Sequence, residues 1–245
     1  MKMSIIVATF NASEFLPRLL ESIKSQTLSE VEVVVVDGGS KDEVGEIVEK
    51  YQSSISIVFI SEPDSGIYDA WNKGVSLSSG EWISFMGADD EFSYPEALSD
   101  IYSIAYSRTG INLVSSLGSL VNWRTRDVLK RFGGRFDSSI KYRMTLCHPG
   151  LFHKRILFSS KNFDIKWKIC ADYDFLLRSI DLISPIFLNK VTVNVGDGGV
   201  SRIFVNKVLR ETFSIQASVP YIGFLKAFLY YIFAKIKFNL KKIIL

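Results

Sequence analysis

Cysteine and histidine are scarce in this sequence, with two of each in 245 residues. Two thiols, Cys147 and Cys170, are too few for the disulfide framework of a small secreted domain and read as reduced cysteines of a cytosolic protein. Their order with His148 and His153 fits no usual zinc-ligand spacing, so no zinc site is expected. Long apolar runs are missing as well. The longest uninterrupted one in the C-terminal segment, residues 227–234, falls well short of the roughly 20 residues a bilayer core requires. There is no internal repeat and no low-complexity tract. Neither Gly-x-Gly-x-x-Gly nor Gly-x-x-x-x-Gly-Lys-Ser/Thr occurs, which sets aside dinucleotide and P-loop readings. The first ten residues carry one lysine and a short apolar run that meets Thr9, which suits a first strand and not a secretory leader.

What is present is a globular composition: 47% apolar, 22% charged and 13% aromatic, which excludes disorder and collagen-like repeats. The net charge of +3 hides an asymmetry. From residue 201 onward eight Lys/Arg face a single acid, Glu211, whereas the first 200 residues carry 21 basic and 25 acidic side chains. A mildly acidic body with a basic, aromatic tail points to an anionic surface as the tail's partner. Tyr221, Tyr230, Tyr231 and Phe238 suit a headgroup interface, and an in-plane amphipathic helix on anionic lipid is expected over 201–245. Lys235 and Lys242 fall opposite Lys226 and Lys237 on the wheel, and packing of the tail on its own domain or a partner is the alternative. Nucleic-acid binding is not expected, because the basic residues sit in an apolar tail and no nucleic-acid motif occurs.

The first hundred residues alternate strand and helix. Strands are expected over 4–9, 31–36, 55–60 and 81–86, with helices over 13–25, after Asp42 and over 67–77. The almost continuous valine run at 31–36 is the pattern of a parallel strand covered on both faces. Ser40, Lys41, Asp42 and Glu43 match a capping box for the helix carrying Val44, Ile47, Val48 and Tyr51. Beyond Pro95 a helix (95–107), strand-like pieces (111–121), a basic loop (124–141), a short helix (172–179) and a glycine-rich turn at 196–199 follow. The fold class is α/β, a doubly wound, largely parallel sheet with a C-terminal helical tail. Ligands in such sheets sit beyond the carboxyl ends of the strands, where Thr9, Asp37, Asp89 and Asp90 fall.

Asp89 and Asp90 are adjacent carboxylates after an apolar strand, and they repel each other unless a cation intervenes. Mg²⁺ or Mn²⁺ held by the two acids and by substrate phosphate oxygens resolves the repulsion; a solvated acidic turn is the alternative. Asp37 suits either an acceptor for a nucleobase N–H or a turn former. His148 suits either an acceptor pocket or a strand end. Arg178 has Asp172 and Asp174 within reach as ion-pair partners, or a phosphate.

Four ordered segments resemble the family 2 glycosyltransferases of the GT-A fold: Ser4-Ile-Ile-Val-Ala-Thr-Phe-Asn11, Val33-Val-Val-Val-Asp37-Gly-Gly-Ser40, Glu62-Pro-Asp-Ser-Gly-Ile-Tyr-Asp-Ala-Trp-Asn-Lys-Gly74 and Gly80-Glu-Trp-Ile-Ser-Phe-Met-Gly-Ala-Asp-Asp90. A thinner match continues through Cys147-His148-Pro149 and Ala171-Asp172-Tyr173-Asp174. The resemblance implies a nucleotide-diphosphate-sugar donor, such as a UDP- or GDP-sugar, with inversion at the anomeric carbon. It puts Thr9 and Asp37 on the base, Asp89 on the ribose, Asp89 and Asp90 on the metal, and Asn72 and Lys73 among the donor-binding groups. Asp172 becomes the catalytic base, with Asp174 as the alternative, and His148 an acceptor contact. The family's first metal-motif acid is Gly87 here, the arginine often found before the asparagine is Trp71, and the glutamate before the base is Ala171.

The organisation expected is a GT-A domain over 1–200, divided into a nucleotide-sugar half (1–100) and an acceptor half (101–200), followed by the tail. The reaction expected is non-processive transfer of one sugar to a hydroxyl of a lipid-linked saccharide, in surface polysaccharide or lipopolysaccharide synthesis. The protein would then be cytoplasmic and peripheral on the inner face of the membrane. Transfer to a polyprenyl phosphate and a degenerate nucleotide-sugar-binding scaffold are the competing readings.

Overall fold

The valine run forms β2 (Val31–Asp37), buried at every position and paired in parallel with β1 (Met3–Thr9) on one side and β3 (Ile57–Ser61) on the other. The structure, a computed structural model, describes residues 2–244; Met1, Leu245 and the side chains of residues 241–244, Lys242 among them, lie outside the described residues. β4 (Trp82–Gly87) continues the parallel set beside β1. The nine strands of the sheet run β3-β2-β1-β4-β8-β6-β9-β5, with β7 on β6. In the second half, β8 (Leu151–Lys154) lies antiparallel between β4 and β6 (Leu113–Val121). β9 (Pro185–Gly196) runs parallel to β6, and β5 (Glu91–Phe92) runs antiparallel to β9.

Successive side chains of β1 and β2 point to opposite faces, and both faces are covered. Ile5, Val7, Val33 and Val35 join a core with α1 (Leu16–Lys24), α2 (Val44–Gln52) and α4 (Ala97–Ala105), whereas Ile6, Val34 and Val36 join one with α3 (Ile67–Leu77) and α5 (Ala171–Arg178). α3 lies so close to β1 that a Cβ at Gly74 would stand 2.3 Å from Ile6 Cγ2, so only glycine fits there.

Two local expectations are corrected. The capping box does not form: Glu43 flanks α2 with no side-chain cap, because the Ser40 hydroxyl is drawn to Asp37 and Asp42 accepts from the Ser13 amide at 2.8 Å. The basic stretch 124–141 is not a plain loop, since Val128–Gly133 forms β7, an edge strand in a hairpin with β6. Its lysine and arginine content suits an edge, where charge discourages pairing with another chain.

The tail after residue 200 packs against the body. It forms α6 (Val200–Ile203), α7 (Val205–Ser218) and α8 (Phe224–Ile244). Ile215, Val219, Ile222 and Ala227 are buried in a third core with Tyr173, Leu176 and Leu177 of α5. Phe213 meets Phe224, Phe228 and Tyr231, which makes α7 and α8 an antiparallel pair.

Two buried polar clips hold the parallel half together. Glu32 of β2 accepts from Ser4 Oγ (2.6 Å), Ser79 N (2.5 Å), Ser79 Oγ (2.8 Å) and Gly80 N (3.0 Å), and pairs with Lys2 at 2.6 Å. Burial pushes its carboxyl up, but Lys2, Ser4 and Ser79 outweigh this and hold it at about 2. Asn72 clips α3 to the segment before α5: its Nδ2 donates to the Phe163 carbonyl at 2.9 Å and its Oδ1 accepts from the Phe163 amide at 3.0 Å.

Glu32→Gln should destabilise the fold by about 2–3 kcal/mol at pH 7, read by urea denaturation, because it leaves buried donors without an anion. Since the folded carboxyl is held below its ordinary value, the stabilisation from Glu32 is complete above the ordinary carboxylate range and lost as pH falls toward about 2. The Glu32→Gln protein should lack that component of acid sensitivity. Asn72→Ala should lower the melting temperature and leave donor affinity in calorimetry near that of the parent; a selective loss of donor affinity would return Asn72 to the donor site.

Candidate active site

The carboxyl ends of β1, β4 and β9 converge on a cavity of about 830 Å³. Thr9 closes β1, the Gly87–Asp90 turn follows β4, and Gly196 ends β9; α3 contributes Tyr68 and Trp71, and α5 contributes Asp172. Four carboxylates line the space, those of Asp64, Asp89, Asp90 and Asp172, with Lys168 as the cationic lining residue among the described residues. An acidic lining of this kind admits a polyanion only with a counter-cation.

Asp90 is buried, and its Oδ2 accepts from the Gly87 amide at 2.8 Å. Burial first, and the neighbouring Asp89 second, push its carboxyl well above the usual range; Asp89 is raised by burial and by Asp197. Neither acid has an ion-pair partner among the described residues. Two hard oxygen donors without a cationic partner would suit a Mg²⁺ or Mn²⁺ ion that also takes oxygens of a bound phosphate. No cluster of three or more His, Cys, Asp or Glu able to hold a metal by itself occurs among the described residues. Gly87 has a steric reason: a Cβ there would lie 2.8 Å from Asp89 Oδ1, and one at Gly196 would lie 2.3 Å from Asp89 Oδ2. The Asp89 carboxylate occupies the room these two glycines leave.

The cavity gathers Thr9, His148, Asp89, Asp90 and Asp172, but not Asp37, Asn72 or Lys73. Asp37 is buried and accepts from Thr9 Oγ1 (3.0 Å), Ser61 Oγ (2.6 Å), Ser40 N (2.8 Å), Gly39 N (3.2 Å) and the Ser40 hydroxyl. Burial raises its carboxyl, yet the Ser40 and Ser61 hydroxyls outweigh burial and hold it below the ordinary value. Five donors converge on this carboxylate, which ties the ends of β1, β2 and β3. Gly38 and Asp64 face the cavity in its place. Lys73 pairs with Glu62 at 2.7 Å and donates to the Pro63 carbonyl at 3.0 Å, and the Glu62 contact raises its ammonium.

Trp71 stacks on His148 (ring centroids 4.9 Å apart, planes at 20°) inside an aromatic cluster with Phe85 and Phe163. Burial pushes the His148 and His153 imidazoles down to about 3, so both are neutral. Cys147 and Cys170 are free, buried thiols that burial pushes up to about 12. Arg178 is taken by Asp174 at 2.6 Å, which leaves Asp172 as the carboxylate of α5 that reaches the cavity. Burial raises Asp172 to about 6, against the opposing hydrogen bonds from the Tyr173 amide and the Tyr68 hydroxyl. A half-buried carboxylate ionised at neutral pH, yet basic enough to take a proton, is suited to general-base work.

Sequence reasoning missed Asp64, Tyr68, Lys168 and Trp123 among the lining residues. Asp64 and Tyr68 stood inside the third quoted segment and were legible as neighbours of Asn72. Trp123 sits in the β6–β7 hairpin, 4.7 Å from Phe15 and with the Arg18 and Arg124 guanidinium groups 5.9 and 5.5 Å from its ring, a grouping with no local signature.

The sequence pattern of glycosyl transferase family 2 matches residues 4–168. The PGL/p-HBAD biosynthesis glycosyltransferase of Mycobacterium tuberculosis is 31% identical over 211 residues, covering 83% of this chain and 80% of the relative. Among solved structures, Staphylococcus aureus TarS 1–349 in complex with UDP-GlcNAc superposes with a TM-score of 0.72 at 22% identity, covering 90% of this chain and 68% of that one. Against the longer TarS chain the coverage is 40%. The mannosyltransferase PcManGT of Pyrobaculum calidifontis, in complex with GDP-Man and Mn²⁺, gives 0.67 at 17% identity, covering 94% of this chain and 69% of that one. These structural likenesses carry the fold: a GT-A sheet whose strands end at the cavity described above. With the family pattern spanning residues 4–168 and a relative 31% identical over most of both chains, the protein belongs to glycosyl transferase family 2.

Proposed function

We propose that the protein is an inverting, non-processive, metal-dependent glycosyltransferase that moves one sugar from a UDP- or GDP-sugar to a hydroxyl of a lipid-linked saccharide. The observation that carries this reading is the single cavity shared by Asp89, Asp90 and Asp172. Asp89 and Asp90 would hold Mn²⁺ or Mg²⁺, which neutralises the departing diphosphate when bound. Thr9, Gly38 and Asp64 surround the nucleoside end of the cavity, with Asp37 fixing the loops that present them. Asp172 would accept the proton of the acceptor hydroxyl as its oxygen attacks the anomeric carbon from the face opposite the diphosphate. His148, neutral and stacked on Trp71, offers an apolar wall with a polar edge to the acceptor.

A phosphate acceptor needs no base and favours cations, whereas this cavity presents four acids and one lysine. A decayed scaffold is disfavoured too, because Gly87 and Trp71 each have a packing role. The M. tuberculosis relative is a PGL/p-HBAD biosynthesis glycosyltransferase, which supports the sugar-transfer reading.

The tail supports a peripheral attachment to the inner membrane face. No helix among the described residues is long and apolar enough to cross a membrane. α8 exposes Leu225 (71%), Leu229 (57%), Phe233 (70%), Ile236 (53%) and Leu240 (53%) while it buries Ala227. At about 100° per residue these form one stripe, with Lys226 and Lys237 along one border and Lys235 along the other. Lysines opposite each other on the wheel therefore flank an apolar face, as in helices that lie in an anionic interface.

Asp172→Asn should lower kcat by about 10²–10⁴-fold and leave donor binding intact. With saturating Mn²⁺, kcat/KM of the parent should fall tenfold per pH unit below about 6, where the base becomes protonated. Retained turnover in Asp172→Asn would point to an acceptor that is already ionised. Leu229→Glu combined with Phe233→Glu should abolish co-sedimentation with phosphatidylglycerol vesicles at unchanged circular dichroism; undiminished sedimentation would put the anchor elsewhere.

A further inference from the structure

Asp172 stands in the first turn of α5, a helix with no side-chain cap at its start. The amides leading into it are instead gathered by a residue far along the chain. Glu211 of α7 accepts from Lys168 N at 3.1 Å through one oxygen, and from Ile169 N at 2.9 Å and Cys170 N at 3.0 Å through the other. From the opposite side Tyr68 of α3, itself buried, places its hydroxyl 2.5 Å from the Ile169 carbonyl oxygen and 3.0 Å from Asp172 Oδ1. The Ile169 peptides are thus gripped at N–H by α7 and at C=O by α3.

The phenol has one proton and two acceptors. The Ile169 carbonyl can only accept, so the proton's direction depends on Asp172. While Asp172 is a carboxylate, the hydroxyl satisfies it by donating to Oδ1. Once Asp172 has taken a proton, its own O–H can donate to the phenolic oxygen while the phenol turns its proton to Ile169. Both states of the carboxyl are met by rotation of one O–H, the 2.5 Å contact to the Ile169 carbonyl relaxing when the proton turns to Asp172, and with no net proton gained or lost by Tyr68.

We propose that Tyr68 and Glu211 are positioning residues for Asp172, Tyr68 by this switching hydrogen bond and Glu211 by pinning the three amides that lead into the base. The inference rests on Asp172 being the general base. The titratable and charged groups around Asp172 are Tyr68 from α3, Lys168 and Cys170 from the lead-in, and Glu211 from α7. Burial is the main reason its carboxyl is raised; the Tyr68 hydrogen bond opposes that rise and the Glu211 charge adds to it. Removing the two groups therefore has opposite signs, which a general loss of packing would not produce.

The test is a ¹³C-detected pH titration of the Asp172 carboxyl, assigned by difference against Asp172→Asn, in the full chain without donor. Tyr68→Phe should raise the titration midpoint by about one unit, the size of one hydrogen bond to a charge. Glu211→Gln should lower it, and in turnover assays both variants should reduce kcat about tenfold or more with donor KM little changed. Midpoints unmoved, or moved in the same direction, would overturn the proposal. If Glu211→Gln does not fold, the near-isosteric Tyr68→Phe decides alone. Because the titration needs no turnover, the two readings fail separately: active Asp172→Asn with opposed midpoint shifts removes the base, whereas inactive Asp172→Asn with unshifted midpoints removes the positioning.

Discussion

The repulsion between two carboxylates at the end of β4 is the constraint around which the site is organised. Asp89 and Asp90 are raised by burial and by neighbouring acids, and no lysine or arginine among the described residues pairs with them. The protein supplies backbone amides and space instead: the Gly87 amide on Asp90, and two glycines flanking Asp89. A site built this way disfavours its own ionised state. In the function proposed above, a cation and an anionic donor arriving together would relieve that repulsion.

Much of the architecture was legible because it rests on periodicity. The valine run declared a strand buried on both faces, and Asp89 and Asp90 could be placed at a strand end before any coordinates. What was not legible shares a cause: a residue's type could be read, but its competing partners could not. Ser40 has the chemistry of a cap, yet the Asp37 carboxylate is nearer and carries more charge. Asp37 itself sits where a base would be held, but five donors from three strand ends converge on it. Asn72 follows a motif shared with donor-binding helices and is taken at both ends by the Phe163 backbone. The lysines and arginines of 124–141 concealed an edge strand because an exposed edge favours such residues.

The contacts across residue 200 were hidden for a related reason. Charge separates the tail from the body, but packing does not. Ile215, Val219 and Ile222 complete the core that seats α5, and Glu211, the one acid among eight basic residues, satisfies the amides that lead to Asp172. The helices of the tail thus hold the α5 side of the cavity from behind. The family pattern ends at residue 168, so this bracket belongs to the part of the chain that the pattern leaves unconstrained.

The wedge of Asp89 between Gly87 and Gly196 also bears on how such a site can change over generations. A side chain at 87 would meet the Asp89 carboxylate on one side, while on the other a Cβ at 196 would lie 2.3 Å from Asp89 Oδ2. Substitutions at 87, 89 and 196 are therefore coupled, and a change at one is best accommodated when its neighbours change with it.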